Sequence, residues 1–185
     1  MKLYGWGSDE VRTAREHLLQ AQRDVDASEG TPYAVPLDLG ITWDAGAPLP
    51  VLISGNKTFV AFYLPPNFDF DGTNPRSRSA DDDDAIGVVE FRGVTAVKMG
   101  SPSDERLREH ALWGHGLTYY AAHLVQNSAW IRELISTDEA RRTTSHYVFT
   151  FHDETLECVA DSHVATLTPG SLTSVTARLV QAARR

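Results

Sequence analysis

The stretch that decides the fold is residues 145–160, which read SHYVFTFHDETLECVA. Two runs of apolar, β-branched and aromatic residues, 147–151 and 156–160, flank the polar group 152–155. This pattern is typical of a β-hairpin that is closed by a short turn. We therefore predict that this segment forms the central hairpin of the protein.

A turn centred on residues 153–154 would fix the register of this hairpin. It pairs Phe151 with Leu156 and Thr150 with Glu157, and directly opposed residues share one face of a sheet. One face is then almost wholly apolar and is predicted to belong to the core: Tyr147, Phe149, Phe151, Leu156, Cys158 and Ala160. The other face is mixed and contains Val148, Thr150, His152, Thr155, Glu157 and Val159.

The mixed face carries the best functional signal of the sequence. In the predicted register His152 and Glu157 are diagonal neighbours, where an imidazole and a carboxylate could share a proton or a ligand. His123, on a predicted strand at 119–125, is a second candidate for a general base. The alternative is that His152 and Glu157 are solvated residues on the open face of a half-buried antiparallel sheet.

The size and composition of the chain favour one globular domain over residues 1–185. The sequence has 185 residues, 42% of them hydrophobic and 23% charged, which is enough to bury a substantial core. No apolar run is long enough to span a bilayer, and the N-terminus MKLYGWGSDE lacks the apolar region of a signal peptide. We expect a cytoplasmic protein without membrane contact. The single cysteine, Cys158, excludes an intrachain disulfide and is predicted to be a small core residue.

The charge of the protein argues against nucleic acid as a partner. The formal net charge is -8, and phosphate binding needs clustered lysine and arginine. Much of the negative charge lies within 65–85, which has loop composition throughout and is predicted to be a mobile acidic loop. Its fragment 69–74 has a superficial similarity to a calcium loop, but the glycine spacing does not fit, so we expect a turn.

The remaining segments predict an α+β fold in which helices pack on a mainly antiparallel sheet of six to nine strands. Apolar periodicity and capping residues predict helices near 9–26, 103–112, 128–136 and 171–183. Two further hairpins are predicted at 51–64 and at 86–99, with single strands at 119–125 and 163–168 and a short edge strand within 37–43.

Aromatic residues and one histidine suggest where a ligand could bind. Trp43 lies in a proline-rich segment, and Trp113 and Tyr119 flank a glycine-rich turn. His115 lies between Gly114 and Gly116, which can give the backbone unusual geometry, although such turns are common without any function. We treat Trp43, Trp113, His115 and Tyr119 as candidate ligand-binding residues.

Three segments resemble a group of uncharacterised bacterial proteins. They are GHGL at 114–117, NSAWIREL at 127–134 and HYVFTFHD at 146–153. The similarity covers roughly residues 100–160. The group typically has a proline after its first histidine, where this chain has Ala111 after His110. No activity comes with the resemblance, so it implies no catalytic role for any residue.

Common enzyme signatures are missing from this chain. It has no phosphate-binding glycine motif, dinucleotide fingerprint, GxSxG elbow or HExxH helix. Four other histidines lie in the segment that ends at His152: His110, His115, His123 and His146. A metal site needs about three such ligands to converge, which spacing alone does not indicate. We therefore predict no metal site, and the sequence indicates no particular cofactor.

Three functional hypotheses remain open. The first is a binding or interaction module whose small-molecule pocket or protein-partner surface lies on the mixed sheet face. The second is an enzyme that uses His152 or His123 as general base and Glu157 as an orienting or acid group. The third is an acidic immunity or inhibitor-type regulator that engages a basic partner through its acidic loop.

Overall fold

The chain passes three times between two antiparallel sheets, after Pro36, after Arg92 and after Ala160, and these crossings set the architecture. The computed structural model describes residues 9–45, 50–65, 80–81 and 84–185. The strands of this part of the chain are β1 (Tyr33–Pro36), β2 (Val51–Ser54), β3 (Thr58–Tyr63), β4 (Asp84–Arg92), β5 (Ala96–Gly100), β6 (Ala122–Gln126), β7 (Ser145–Thr150), β8 (Thr155–Ala160) and β9 (Ser162–Gly170). The helices are α1 (Asp9–Glu29), α2 (Ala129–Leu134), α3 (Asp138–Thr143) and α4 (Leu172–Ala183), with a 3-10 turn at Leu107–Glu109.

The strands form one five-stranded and one four-stranded sheet. The larger sheet has the order β1-β6-β7-β8-β5 and the smaller one the order β2-β3-β4-β9, with every neighbouring pair antiparallel. The predicted α+β class is confirmed. The strands of the described residues fall within the predicted number, but they are divided between two sheets where we expected one.

The predicted hairpin at 86–99 is wrong. β4 pairs with β3 and β9 in the smaller sheet, whereas β5 pairs with β8 in the larger one. The chain turns between them at Gly93, which has φ +63° and whose Cβ, if it had one, would overlap the Asp161 carboxylate. Asp161 makes the matching crossing from β8 to β9, and its N–H donates to the Arg92 carbonyl at 2.9 Å. The two crossings lie side by side, so the β4–β5 and β8–β9 connections pass between the sheets next to each other.

The central hairpin is confirmed, but its predicted register is wrong by two residues. The last pair is Thr150 opposite Thr155, so the connection has four residues instead of two. The N–H of Phe151 donates to the carbonyl of Glu154 at 2.9 Å and closes this wider loop.

A slip of two residues leaves every side chain on its predicted face, because the side-chain period of a strand is two. It does change the neighbours across the hairpin. Glu157 now lies opposite Val148, with His146 as a diagonal neighbour. On the other side Glu157 lies opposite Lys98 of β5.

The main core lies between the two sheets. It consists of Trp43, Val60, Phe62, Val89, Phe91, Ala122, Tyr147, Phe149, Phe151, Leu156, Cys158 and Ala160. The predicted apolar face of the hairpin is therefore the core face. Cys158 is fully buried, as predicted, and burial raises the pKa of its thiol to about 12.

Both outer faces of the sheets are covered as well. α4 packs its apolar side on the smaller sheet, with Leu172 and Val175 buried. On the larger sheet, the 107–117 segment packs Leu107, Leu112 and Leu117 against strand residues such as Val148. The mixed hairpin face is therefore largely buried. This differs from the alternative in which that face is open and solvated.

Of the other predicted elements, some are confirmed and some are wrong. The helices at 9–26, 128–136 and 171–183 are confirmed. The helix at 103–112 is wrong, because only Leu107–Glu109 makes a 3-10 turn and the backbone N–H of Asp104 donates instead to the carbonyl of His152 at 2.8 Å. The edge strand within 37–43 is also wrong, since β1 ends at Pro36.

The acidic loop at 65–85 and the calcium-like fragment at 69–74 lie mostly or wholly outside the described residues. Within the described part of the chain, the helices are all too short or too polar to cross a bilayer.

Candidate functional site

A pocket of about 370 Å³ lies on the outer face of the five-stranded sheet. Its floor comes from β5, β6, β7 and β8, and its walls come from the 101–112 segment and the start of α2. The lining residues are Pro32, Lys98, Ser101, Pro102, Glu109, His110, Ala111, Leu112, Val125, Ser128, Ala129, Trp130, His146 and Glu157. One part of this lining is apolar, and the other is a cluster of ionisable side chains.

Glu157 is the centre of the ionisable cluster. Its Oε1 lies 2.8 Å from Lys98 Nζ and 3.3 Å from His110 Nε2, and its Oε2 lies 3.0 Å from His146 Nε2. The strand register accounts for two of these partners, because Lys98 is directly opposite Glu157 and His146 is diagonal to it. His110 reaches the same carboxylate from the segment above the sheet.

These donors keep the Glu157 carboxylate charged. Its side chain is only 14% exposed, and such burial by itself raises the pKa of a carboxyl group. The hydrogen bonds from His110, His146 and Lys98 act in the opposite direction and outweigh burial, so the pKa of Glu157 lies far below its ordinary value. Glu157 is therefore an anion that orients its neighbours, and it has no proton to give as a general acid.

The tautomer of His110 follows from its backbone partner. The N–H of Leu112 donates to His110 Nδ1 at 3.1 Å, so Nδ1 must be unprotonated. The hydrogen of the neutral ring is then on Nε2, which donates to Glu157. Both ring nitrogens are occupied by protein partners, and the imidazole is 8% exposed. His110 acts as a fixed donor to the carboxylate.

His146 has a different second partner, the hydroxyl of Ser128. Ser128 caps α2, and its Oγ accepts the Ile131 N–H at 3.1 Å. The same Oγ lies 2.9 Å from His146 Nδ1. Glu157 accepts from His146 Nε2, so in the neutral ring Nδ1 is the acceptor and the hydroxyl of Ser128 donates to it. A directed chain of hydrogen bonds thus runs from Ser128 through His146 to Glu157.

Local backbone structure delivers Ser128 to this position. β6 ends at Gln126, Asn127 adopts φ +52°, and α2 begins at Ala129. Asparagine is one of the few residues that tolerate this left-handed conformation. The sharp strand-to-helix turn places the capping serine beside β7, which carries His146.

Trp130 forms the aromatic wall of the pocket. Its ring meets the His146 imidazole edge to face, with centroids 5.2 Å apart. Lys98 Nζ lies 4.9 Å from the Trp130 ring centroid on its face, which is a cation–π contact. The Lys98 side chain is 61% exposed, so its ammonium stands at the mouth of the pocket.

Of the predicted catalytic residues, only Glu157 lies in the pocket. His152 is in the hairpin loop with 48% of its side chain exposed, and its ring lies 3.0 Å from Asp153 and 3.8 Å from Asp104. The hydrogen bond that His152 Nδ1 donates to the Asp153 carboxylate raises the pKa of His152. The structure therefore does not bring His152 to Glu157, whose partner from the same hairpin is His146.

His123 is also outside the pocket. It is fully buried, and its Nε2 accepts the Thr118 N–H at 3.2 Å. Burial lowers the pKa of His123 to about 4, so the ring is neutral at physiological pH. Its contacts connect the 117–118 turn to β6.

The candidate ligand-binding residues form other contacts. Trp43 is in the core between the sheets and donates its indole N–H to the Thr150 carbonyl at 3.1 Å. Trp113 and Tyr119 pack edge to face with centroids 5.5 Å apart. His115 Nδ1 lies 3.0 Å from the buried carboxylate of Asp26 and connects the glycine-rich turn to α1. The pocket lining includes none of these four residues.

Sequence reasoning missed most of the polar residues of the pocket, namely Lys98, His110, Ser128, Trp130 and His146. The signal that could have found His146 was the hairpin itself, because a four-residue loop makes it the diagonal neighbour of Glu157. Ser128 was recognisable as a helix cap, but its histidine partner is not visible in the sequence. Lys98 and His110 depend on long-range pairing, which spacing does not encode.

The polar side chains of the pocket form a relay of hydrogen bonds. Their donor atoms point at the Glu157 carboxylate and not at a position that a metal ion could occupy. Among the residues that the structure describes, no group of three or more His, Cys, Asp or Glu side chains has an arrangement that could hold a metal ion.

Comparison with known proteins gives this pocket no precedent: no family model, no curated protein and no solved structure matches the chain.

Proposed function

We propose that the protein binds a small molecule in the pocket between Lys98, Trp130 and the His110–Ala111 segment. One observation carries the proposal: two histidines, a lysine and a buried carboxylate converge at one end of a concavity whose other walls are apolar. Ligand sites combine such an apolar lining with a few convergent polar groups. A volume of about 370 Å³ lies at the small end of the usual range.

The lining suggests the chemistry of the ligand. Leu112, Val125 and Trp130 would contact an apolar or aromatic body. Lys98 has three ammonium hydrogens, of which one points to Glu157. Its remaining donors at the mouth of the pocket favour a ligand with a carboxylate or carbonyl oxygen. We therefore propose a small carboxylate, ester or amide with an apolar body as the class of ligand.

Binding can be tested with a panel of aryl and alkyl carboxylates, esters and amides, monitored by protein NMR and by tryptophan fluorescence, to which Trp130 contributes together with the three other tryptophans. At least one compound should bind, and the substitution Ala111→Phe should weaken its binding at least about tenfold, because a large side chain at this exposed position fills the pocket. Ala14→Phe, on the exposed face of α1, is the matched control and should leave binding unchanged.

Lys98 can be tested in the same assay. Lys98→Met keeps the aliphatic stem but removes the charge, so it should weaken carboxylates more than amides of the same shape. Lys57→Met, at an exposed lysine in the β2–β3 turn, should have no effect. The proposal fails if no compound binds, or if Ala111→Phe leaves the binding of every ligand unchanged.

A protein partner on this face and an acidic regulator are the remaining alternatives. The second depends on the 65–85 loop, which lies mostly outside the described residues. We place the protein in the cytoplasm as part of the proposal, since a single, fully buried cysteine is compatible with a reducing compartment.

A further inference from the structure

We propose that Ser128 is a nucleophile, with His146 as its general base and Glu157 as the positioning carboxylate, and that the protein transfers or hydrolyses small acyl groups. The inference rests on the proposed function, because the acyl compound must first enter the pocket. It adds a reaction to the binding role and assigns a part to each member of the hydrogen-bonded chain.

The geometry of the three side chains supports these roles. Ser128 Oγ is 2.9 Å from His146 Nδ1, and His146 Nε2 is 3.0 Å from Glu157 Oε2. A serine is a weak nucleophile until an adjacent base accepts its proton, and a third group orients that base. The ring presents Nδ1 to the serine and Nε2 to the carboxylate, the reverse of the usual order in serine hydrolases. The chemistry depends on these roles and not on which nitrogen fills them.

Burial makes the arrangement rigid. Ser128 is 6% exposed and His146 is 5% exposed, yet both line the pocket. The hydroxyl is held by the Ile131 N–H on one side and His146 on the other. The bond from the Ile131 N–H fixes the position of Ser128 Oγ, and the bond to His146 fixes the direction of the hydroxyl hydrogen.

Glu157 determines which tautomer His146 adopts. A charged carboxylate accepts only, so it requires the hydrogen on Nε2 and leaves Nδ1 free to take the serine proton. Its pKa far below the ordinary value means that this requirement holds throughout the physiological pH range. The hydrogen bonds from His110 and Lys98 keep the carboxylate in place on its other oxygen.

The reaction can be written for an ester. Ser128 Oγ bonds to the carbonyl carbon while its proton moves to His146 Nδ1. The bond from that carbon to the leaving oxygen then breaks, and the departing alkoxide takes the proton from Nδ1. Water next attacks the acyl-serine and gives a proton to Nδ1, and Ser128 leaves and recovers that proton. Lys98 is the lysine of the same lining, and we assign to it the positive charge that would stabilise the oxyanion.

A second capping serine provides an internal control. Ser171 caps α4, and its Oγ accepts the Ser174 N–H at 3.2 Å. Ser128 and Ser171 therefore share the same capping role, but within the described part of the chain only Ser128 of the two lies within hydrogen-bond distance of a histidine. If capping alone explained Ser128, the two serines would have the same reactivity.

The first experiment treats the full chain with diisopropyl fluorophosphate and locates the adduct by mass spectrometry. We expect one phosphoryl group on Ser128 and none on Ser171, because the reagent reacts with a serine that has an adjacent base. The test needs no variant, so an unfolded mutant cannot obscure it. An unmodified Ser128, or equal modification of Ser128 and Ser171, overturns the proposal.

The second experiment measures the hydrolysis of 4-nitrophenyl acetate and butyrate. Ser128→Ala and His146→Gln should each lower kcat/KM at least about 100-fold, whereas Ser171→Ala should leave it unchanged. Glu157→Gln should lower kcat with little change in KM, because an amide allows His146 to carry its hydrogen on Nδ1, where it cannot accept the serine proton. Unchanged turnover in Ser128→Ala overturns the proposal.

These results separate the two proposals. If compounds bind the pocket in a manner sensitive to Ala111→Phe while Ser128 stays unmodified, the nucleophile is refuted and the binding function stands. If no compound binds and Ser128 stays unmodified, both fail.

Discussion

Replacing Glu157 by alanine should cost the protein about 2 to 4 kcal/mol of unfolding free energy at pH 7. The carboxylate accepts hydrogen bonds from His110 and His146, whose side chains are 8% and 6% exposed. Each buried donor that loses its partner costs about 1 to 2 kcal/mol. The bond from Lys98 adds little to this sum, because that side chain is mostly exposed and finds water instead.

Urea denaturation followed by circular dichroism measures this loss. Glu90→Ala is the matched control, since Glu90 is also a strand glutamate but, among the residues that the structure describes, its ion-pair partner is the exposed Arg92, at 3.4 Å. The control should change the unfolding free energy by less than about 0.5 kcal/mol. If Glu157→Ala costs no more than Glu90→Ala, then the carboxylate does not hold the cluster together and the reasoning about the site is refuted.

The pH dependence of this loss provides an independent check. The pKa of Glu157 in the folded protein lies below its ordinary value of 4.5, so the charged carboxylate stabilises the folded state. This contribution is fully present above about pH 4.5 and is lost as the pH falls below that value, at up to about 1.4 kcal/mol per pH unit. The difference between wild type and Glu157→Ala should therefore shrink below pH 4.5 and stay constant between pH 5 and 7.

Three further predictions concern the fold. Phe149→Ala, at a fully buried ring between the sheets, should cost about 3 to 5 kcal/mol in urea denaturation, against less than about 0.5 kcal/mol for Leu167→Ala at an exposed site. Gly93→Ala should lower the unfolding free energy more than Gly40→Ala. Both positions have φ near +65°, but a Cβ meets another side chain at 93 and open space at 40. Equal losses of unfolding free energy would contradict the contact between Gly93 and Asp161. Burial lowers the pKa of His123 to about 4 from an ordinary 6.5, so the unfolded chain takes up this proton at a higher pH than the folded one. The unfolding free energy should therefore fall by up to about 3 kcal/mol as the pH drops from 6.5 to 4. In the folded protein, the NMR signals of His123 should not titrate near pH 6.5.

The sequence predicted the local structure of this protein better than its pairing. Periodicity correctly predicted the faces of the central hairpin, because a register error of two residues does not move a side chain to the other face. The same error moved the predicted partner of Glu157 from His146 to His152. A four-residue loop and a two-residue turn are both compatible with the polar run at 152–155, so the choice between them depends on packing that the sequence does not display.

The division into two sheets was also beyond local reasoning. Arg92-Gly93 between two apolar runs has the composition of a hairpin turn, yet here it is a crossing between sheets. The matching crossing at Asp161, almost 70 residues later, lies directly against Gly93. Contacts of such long sequence separation leave no periodic signal, so only the assembled fold distinguishes a crossing from a turn.

Stability alone does not account for a largely buried pair of His146 and Glu157 on an outer sheet face, with the exposed Lys98 beside it. Moving a carboxylate out of water is costly, and replacing buried ionic groups by well-packed apolar residues of similar volume is often neutral or stabilising. The neighbouring positions Val148 and Val159 are apolar and fully buried, so this part of the sheet readily accommodates such residues. Where the pocket opens, the chain has instead a carboxylate with three donors and a serine directed at a histidine, which is the arrangement that acyl chemistry requires.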